Sequence, residues 1–329
     1  METIQRGRRA CCLNLATGAA AALLPWASRA EGYPDKPVRF LVPYPPGGGT
    51  DVIARIVQPR FQALLGQPVV IDNRGGAAGL VGTELVAKAP ADGYTVLFTL
   101  SSHTINPAIY AKIPFDTARD FDPVGTVASL PQILVAHPQF GAGTVAELLA
   151  LAKAKPGTLS YATVGNGSPG HLAGELMKLR TGIQMTHIPY RGGGPAVTDV
   201  LGGQVPLLWV SIPAAAAHVK AGKLKALAVS TRKRSAAFPD VPTMQEAGVA
   251  DFEVDSWYAM FVPSKTPKAV AEKLNRLLNE IVQEPEIKAR LLEQGSEGVG
   301  GTPAALAQTV DSELGKWAKL ARDASIKVE

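Results

Sequence analysis

Three times along this chain a short apolar strand runs into a glycine-rich turn and then a helix, and this repeated device constrains the fold more than any other feature. Val38 to Tyr44 leads into Pro45-Pro46-Gly47-Gly48-Gly49-Thr50-Asp51. On the helix that follows, Val52, Ile53, Ile56, Val57, Phe61, Leu64 and Leu65 recur at helical spacing until Gly66 closes it. Ser160 to Val164 leads into Gly165-Asn166-Gly167-Ser168-Pro169-Gly170, where Ser168 suits an N-cap and Pro169 the first helical turn. Thr186 to Tyr190 leads into Arg191-Gly192-Gly193-Gly194, with Pro195 starting a helix. Alternation of this kind predicts an α/β fold with parallel layers.

The segments between fit the same plan. Pro68 to Asp72, Tyr94 to Leu100, Ile133 to Ala136, Val205 to Val210 and Leu224 to Ser230 read as strands, and Leu80 to Lys88 as a helix. Thr144-Val145-Ala146-Glu147 is a capping box opening a helix that ends at Pro156-Gly157. A second unit begins near Pro131, and a strand over Phe252 to Val262 returns the chain to the first. Two amphipathic helices follow, one carrying Val270, Leu274, Leu277, Leu278, Ile281 and Val282, the other Leu306, Val310, Leu314 and Trp317.

The first thirty residues read as an export signal. Arg6, Arg8 and Arg9 precede a 15-residue stretch from Ala10 to Leu24 rich in apolar and small residues, and Ser28-Arg29-Ala30 supplies the small residues of a cleavage site. The stretch is shorter than the roughly 20 residues of a membrane span, so the mature protein is expected not to insert in the membrane. Four of the 33 basic residues and one of the 28 acidic ones lie in it, leaving 29 against 27, a net charge of +2. That balance lacks the basic face of a nucleic-acid binder. Both cysteines, Cys11 and Cys12, lie there too, so the mature chain has no disulfide, thiol nucleophile or cysteine metal site. The remaining 299 residues suit two domains.

The glycine turns carry the chemistry. A helix start leaves backbone N–H groups unpaired at the positive end of the peptide dipoles, and glycine lets an anion approach them closely. A carboxylate or phosphate is the natural guest. Gly165, Gly167 and Gly170 match a dinucleotide fingerprint, but the next strand ends in Tyr190-Arg191 and not in the acidic residue that grips a ribose. Gly47 to Asp51 lacks the lysine of a nucleotide-phosphate loop. Ser168 lacks the flanks of a nucleophile elbow, and the five histidines (103, 137, 171, 187, 218) lack metal-ligand spacing. No reactive constellation, metal site or cofactor is expected. Trp209 and Trp257 lie by strands expected to border the cleft.

Taken together, Pro43-Tyr44-Pro45-Pro46-Gly47-Gly48-Gly49-Thr50-Asp51, Tyr161 to His171, Pro189 to Ala196, Leu201-Gly202-Gly203-Gln204-Val205, Pro239-Asp240-Val241-Pro242-Thr243 and Asp255-Ser256-Trp257-Tyr258 resemble the Bug-type receptors of tripartite tricarboxylate transporters. The resemblance runs from about Tyr33 to the end. It implies a two-lobed periplasmic binding fold, each lobe a mostly parallel sheet flanked by helices, with lobe 1 over residues 31–131 and 255–329 and lobe 2 over 132–254. It implies a monomeric receptor, not an enzyme, that closes on a small carboxylate and delivers it to the membrane subunits of a transporter. A sensor partner of a membrane signalling protein shares every one of these sequence features. The implied ligand-binding residues are Tyr44, Gly47, Gly48, Gly49, Thr50, Asp51, Ser102, Gly165, Gly167, Ser168, His171, Tyr190, Gly192 and Asp255. Asp51 is expected to organise its loop without touching the anion.

Overall fold

The computed structural model describes residues 32–129, 131–254, 256–323 and 326–327. The export segment with Cys11 and Cys12 lies outside these residues, and so does Asp255.

Two sheets organise the chain. In the first, β1 (Val38–Val42) lies between β2 (Val69–Asn73) and β3 (Thr95–Leu100), all three parallel. β4 (Phe121–Ser129), β10 (Trp257–Pro263) and β11 (Gly298–Gly300) complete it in the order β11-β4-β10-β3-β1-β2, each of their pairings antiparallel. The second sheet has β6 (Ser160–Thr163) between its parallel neighbours β7 (Thr186–Pro189) and β8 (Leu207–Ser211). β5 (Gln132–Ala136) then pairs antiparallel with β8 and with β9 (Lys225–Val229). Both sheets are therefore mixed, with the parallel trio of each delivering the glycine turns. The expected strand over Phe252 to Val262 is shorter than its pattern: β10 starts only at Trp257.

The helices expected from the sequence form, and further ones follow β3, follow β8 and precede β11. α1 (Gly49–Leu65) follows β1 and closes on Gly66 in the left-handed conformation. α2 (Leu80–Ala87) joins β2 to β3, and α3 (Ser102–Ile109) follows β3. α4 (Val145–Ala154) carries both bonds of its capping box: Glu147 N donates to Thr144 Oγ1 at 3.2 Å, and Thr144 N donates to Glu147 Oε2 at 3.2 Å. α5 (Pro169–Thr181), α6 (Gly193–Leu201) and α7 (Ile212–Lys220) follow β6, β7 and β8. On α8 (Lys268–Gln283) all six expected apolar positions are buried, and each such side chain stabilises by roughly 1.5–3 kcal/mol. α9 (Pro285–Glu293) packs beside it.

The last helix, α10 (Pro303–Asp323), serves both sheets. Leu306 and Val310 pack with Trp257 and Phe261 beneath the first sheet. One end further on, Trp317 and Ala321 join a cluster with Trp209, Leu207 and Phe252 of the second unit, which Ile105 and Ile109 of α3 also enter. Between these ends Glu313 is buried and accepts from Thr104 Oγ1 at 2.6 Å, Trp257 Nε1 at 3.1 Å and Trp317 Nε1 at 3.3 Å. The final turns of α10 thus reach across to the cluster beneath the second sheet.

Candidate functional site: a cleft at the helix starts

The carboxyl ends of the parallel strands face one another across a cleft, the place where open α/β sheets bind ligands. The cleft has two compartments, of ≈ 90 Å³ and ≈ 700 Å³, which share Tyr44, Pro45, Pro46, Leu100, Val164, Arg191 and Gly192 in their walls. No aspartate or glutamate among the described residues lines either one.

The turn from β1 to α1 is built by Asp51. Gly47, at a left-handed φ of 78°, donates its N–H to Asp51 Oδ2 at 2.9 Å, and Arg55 Nε donates to the same oxygen at 2.9 Å. Burial pushes the Asp51 carboxyl up, but the Arg55 guanidinium and the Gly47 N–H outweigh it and hold the group below the usual carboxylate range. Asp51 thus organises the loop from behind while Gly48, Gly49 and Thr50 line the smaller compartment. Tyr44 lines both compartments, and burial pushes its phenol up to about 12, with the Thr99 and Ser102 hydroxyls acting against the shift.

The turn before α5 is spent on itself. Ser168 Oγ donates to Gly165 O at 2.7 Å and accepts from His171 N at 3.2 Å, so the hydroxyl is a cap. Gly167 N donates to His171 Nδ1 at 3.2 Å, which fixes the ring hydrogen on Nε2 and turns that N–H away from the cleft. The His171 ring stacks on His187 at 4.1 Å between ring centres, behind the loop. Ser102 Oγ donates to Gly167 O at 2.9 Å, tying α3 to this turn. Gly165 and Ser168 reach the larger compartment; Gly167 and His171 do not.

The turn before α6 stays open. Gly192 N donates to Val164 O at 3.2 Å, and no side chain caps the helix, so the Gly193 and Gly194 N–H groups are presented to the cleft beside Arg191. Tyr190 contributes its ring to the larger compartment and directs its hydroxyl to Asp199 Oδ2 at 2.6 Å. The opposite wall carries Ala77 and Ala78 at φ of 45° and 53°, a conformation that costs an alanine roughly 1–3 kcal/mol.

Of the fourteen residues expected at the site, Tyr44, Gly48, Gly49, Thr50, Ser102, Gly165, Ser168, Tyr190 and Gly192 line the cleft. Gly47, Asp51, Gly167 and His171 stand behind it, and Asp255 lies outside the described residues. Trp209 and Trp257 are core: Trp209 stacks on Phe252, and Trp257 bonds Glu313. Sequence reasoning missed Ser211 and Tyr258, which line the smaller compartment. Ser211 had a legible signal, since Ser211-Ile212-Pro213 after a strand is a fourth strand–turn–helix junction without glycine.

The comparisons with known proteins agree with this architecture. Residues 53–326 match the model of the tripartite tricarboxylate transporter family receptor. Protein BugT of Bordetella pertussis is 39% identical over 302 residues, 91% of this chain and 93% of that protein. Among solved structures, Rpa4515 of R. palustris with adipate is 35% identical at a TM-score of 0.87, covering 90% of this chain and 99% of that one. The periplasmic binding protein BugD is 34% identical at a TM-score of 0.86, covering 90% and 100%. The family is one of binding proteins and not of enzymes, it works in the periplasm, and its fold is the two-lobed one found here. This chain belongs to the receptor family of the tripartite tricarboxylate transporters.

Proposed function

We propose that this receptor captures a small carboxylate between its two lobes and hands it to the membrane subunits of a tripartite transporter. The observation that carries the reading is electrostatic. The uncapped starts of α1 and α6 face each other across a cleft whose described walls hold Arg191 and no acidic side chain. Such a site favours an anion through backbone N–H groups and peptide dipoles. The relative solved with adipate supports a carboxylate guest. The lobes proposed are residues 31–131 with 255–329, and 132–254.

Native mass spectrometry of protein taken from its own periplasm, followed by calorimetry, tests this. Hydrogen bonds to a charged group are each worth roughly 1.5–3 kcal/mol, so replacing the bound carboxylate by its neutral amide is expected to weaken binding at least about tenfold. Arg191→Gln is expected to cost less than that, because the guanidinium stands at the rim and the helix starts hold the anion. An amide bound as tightly as the acid would sink the reading.

The export segment is part of the same proposal. Cleavage after Ala30 leaves a mature chain starting at Glu31 with neither Cys11 nor Cys12. Intact-mass measurement on periplasmic protein is expected to give that start, and a maleimide is expected to leave it unlabelled; a labelled product would show that the segment is retained.

A further inference from the structure

We infer that this receptor takes an aromatic acid with a single carboxylate, whose uncharged ring lies in the larger compartment against Tyr110 and Tyr190, and that it discriminates against acids charged at both ends. The inference rests on the carboxylate reading above and names the class of acid. Charge in the cleft is confined to one side. Arg191 lines both compartments, and among the described residues none that lines only the larger one is charged. A ligand's first carboxylate therefore meets the helix starts and Arg191, whereas a second one, carried into the larger compartment, meets no cation. It would lose water there without gaining a charged partner, and an unpaired ion is costly to desolvate.

The uncharged polar side chains of the larger compartment are mostly engaged within the protein. Asn73 Nδ2 donates to Tyr44 O at 3.1 Å, Ser102 Oγ to Gly167 O at 2.9 Å and Ser168 Oγ to Gly165 O at 2.7 Å. Tyr190 directs its hydroxyl to Asp199, so what it shows the ligand is a ring. Tyr110, directly after α3, brings a second ring from the side of the first sheet. Pro43, Pro45, Pro46 and Pro189 add flat apolar faces. Glycines stand between these rings: a β-carbon on Gly79 would lie 2.9 Å from Tyr44 Oη, and one on Gly75 would lie 3.1 Å from Pro45 Cδ. Bare backbone beside flat rings keeps the walls smooth, and a planar aromatic body stacks on such a lining better than a flexible chain does. The volume of ≈ 700 Å³ falls within the roughly 300–1,000 Å³ of pockets that enclose drug-sized ligands, more than a short aliphatic diacid fills.

The test is calorimetry on the purified mature protein with 4-methylbenzoate, terephthalate, hexanoate, adipate and the neutral 4-methylbenzamide. 4-Methylbenzoate and terephthalate differ only in a methyl against a second carboxylate. 4-Methylbenzoate is expected to bind at least about tenfold more tightly than terephthalate or adipate, and about threefold or more tightly than hexanoate. Tyr110→Leu is expected to weaken 4-methylbenzoate about three- to tenfold and hexanoate less than about twofold, with Tyr110→Phe restoring the aromatic acid's affinity. Thermal unfolding of each variant checks that it folds. An equal loss of both acids in Tyr110→Leu would overturn the ring contact. If terephthalate or adipate matches 4-methylbenzoate, or 4-methylbenzoate does not bind, the class is wrong and the carboxylate reading stands. If 4-methylbenzamide binds as tightly as 4-methylbenzoate, the carboxylate reading falls and the class with it.

Discussion

Acidification from pH 6.5 to about 4.5 is expected to cost this protein several kcal/mol of stability through three buried histidines. His103 sits among Phe115, Phe121 and Phe261, with neither ring nitrogen partnered among the described residues, and burial lowers its pKa to about 3. Burial lowers His171 to about 4, with Glu175 opposing the shift and Lys178 adding to it. Burial also lowers His187 to about 3, helped by His171 and Lys178, while its Nε2 is engaged with Thr163 Oγ1 at 2.7 Å. Each group is neutral when folded and titrates near 6.5 when unfolded. The stability it contributes is therefore complete above pH 6.5 and is lost as pH falls towards the folded pKa. By pH 4.5 the loss is about 2 kcal/mol per histidine, or about 6 kcal/mol together, against a typical domain stability of roughly 5–15 kcal/mol. Urea titrations across this range are expected to show it, with an acid midpoint moved to lower pH in His103→Leu. At pH 7.5 that variant is expected to stay within about 1.5 kcal/mol of wild type. An acid midpoint unmoved by the substitution would exclude His103 from the effect.

Glu313→Ala is expected to be the most damaging single substitution outside the apolar clusters. Its carboxylate receives Thr104 from α3, Trp257 from β10 and Trp317 from its own helix. Burial pushes the Glu313 carboxyl up, and the three donors pull the other way. Alanine strands the two indole N–H groups in the interior, while the Thr104 hydroxyl keeps Ser101 O at 2.9 Å. A buried donor left without an acceptor costs roughly 1–3 kcal/mol, so the two indoles together cost about 2–6 kcal/mol. Glu313→Gln keeps an acceptor and the volume and is expected to lose less than half as much. Equal losses for the two variants by urea unfolding would show that the side chain's bulk, and not its hydrogen bonds, matters there.

Much of the architecture was legible because local chemistry and the tertiary structure agree. The capping box at Thr144 and Glu147, the Ser168-Pro169 start and the Gly66 stop are local devices, and each forms as written. The apolar face of α8 is buried position for position. Other parts depend on distant partners. β4 carries Asp122, Pro123 and Gly125 and has little strand signal, and β11 is a three-residue strand between two glycines; pairing with β10 and β4 makes them strands. At the site, spacing identified the helix starts but not the direction of each donor. That is why His171, one turn beyond Ser168, reads as a ligand contact yet takes the Gly167 N–H. Tyr258 was hidden for a related reason: in sequence it is one more buried aromatic of a strand, and only the approach of Gly49 and Ser211 to it places it in the wall of the cleft.

The position of α10 bears on how such a receptor can move. Its first turns are embedded beneath one sheet and its last turns in the apolar cluster of the other. It is a beam clamped at both ends, and a helix resists bending far more than it resists rolling in its bed of side chains. A clamshell opening across the beam would tear Trp317 from its cluster or Leu306 from its own. Rotation about the beam's long axis keeps both ends seated and slides the starts of α1 and α6 past each other.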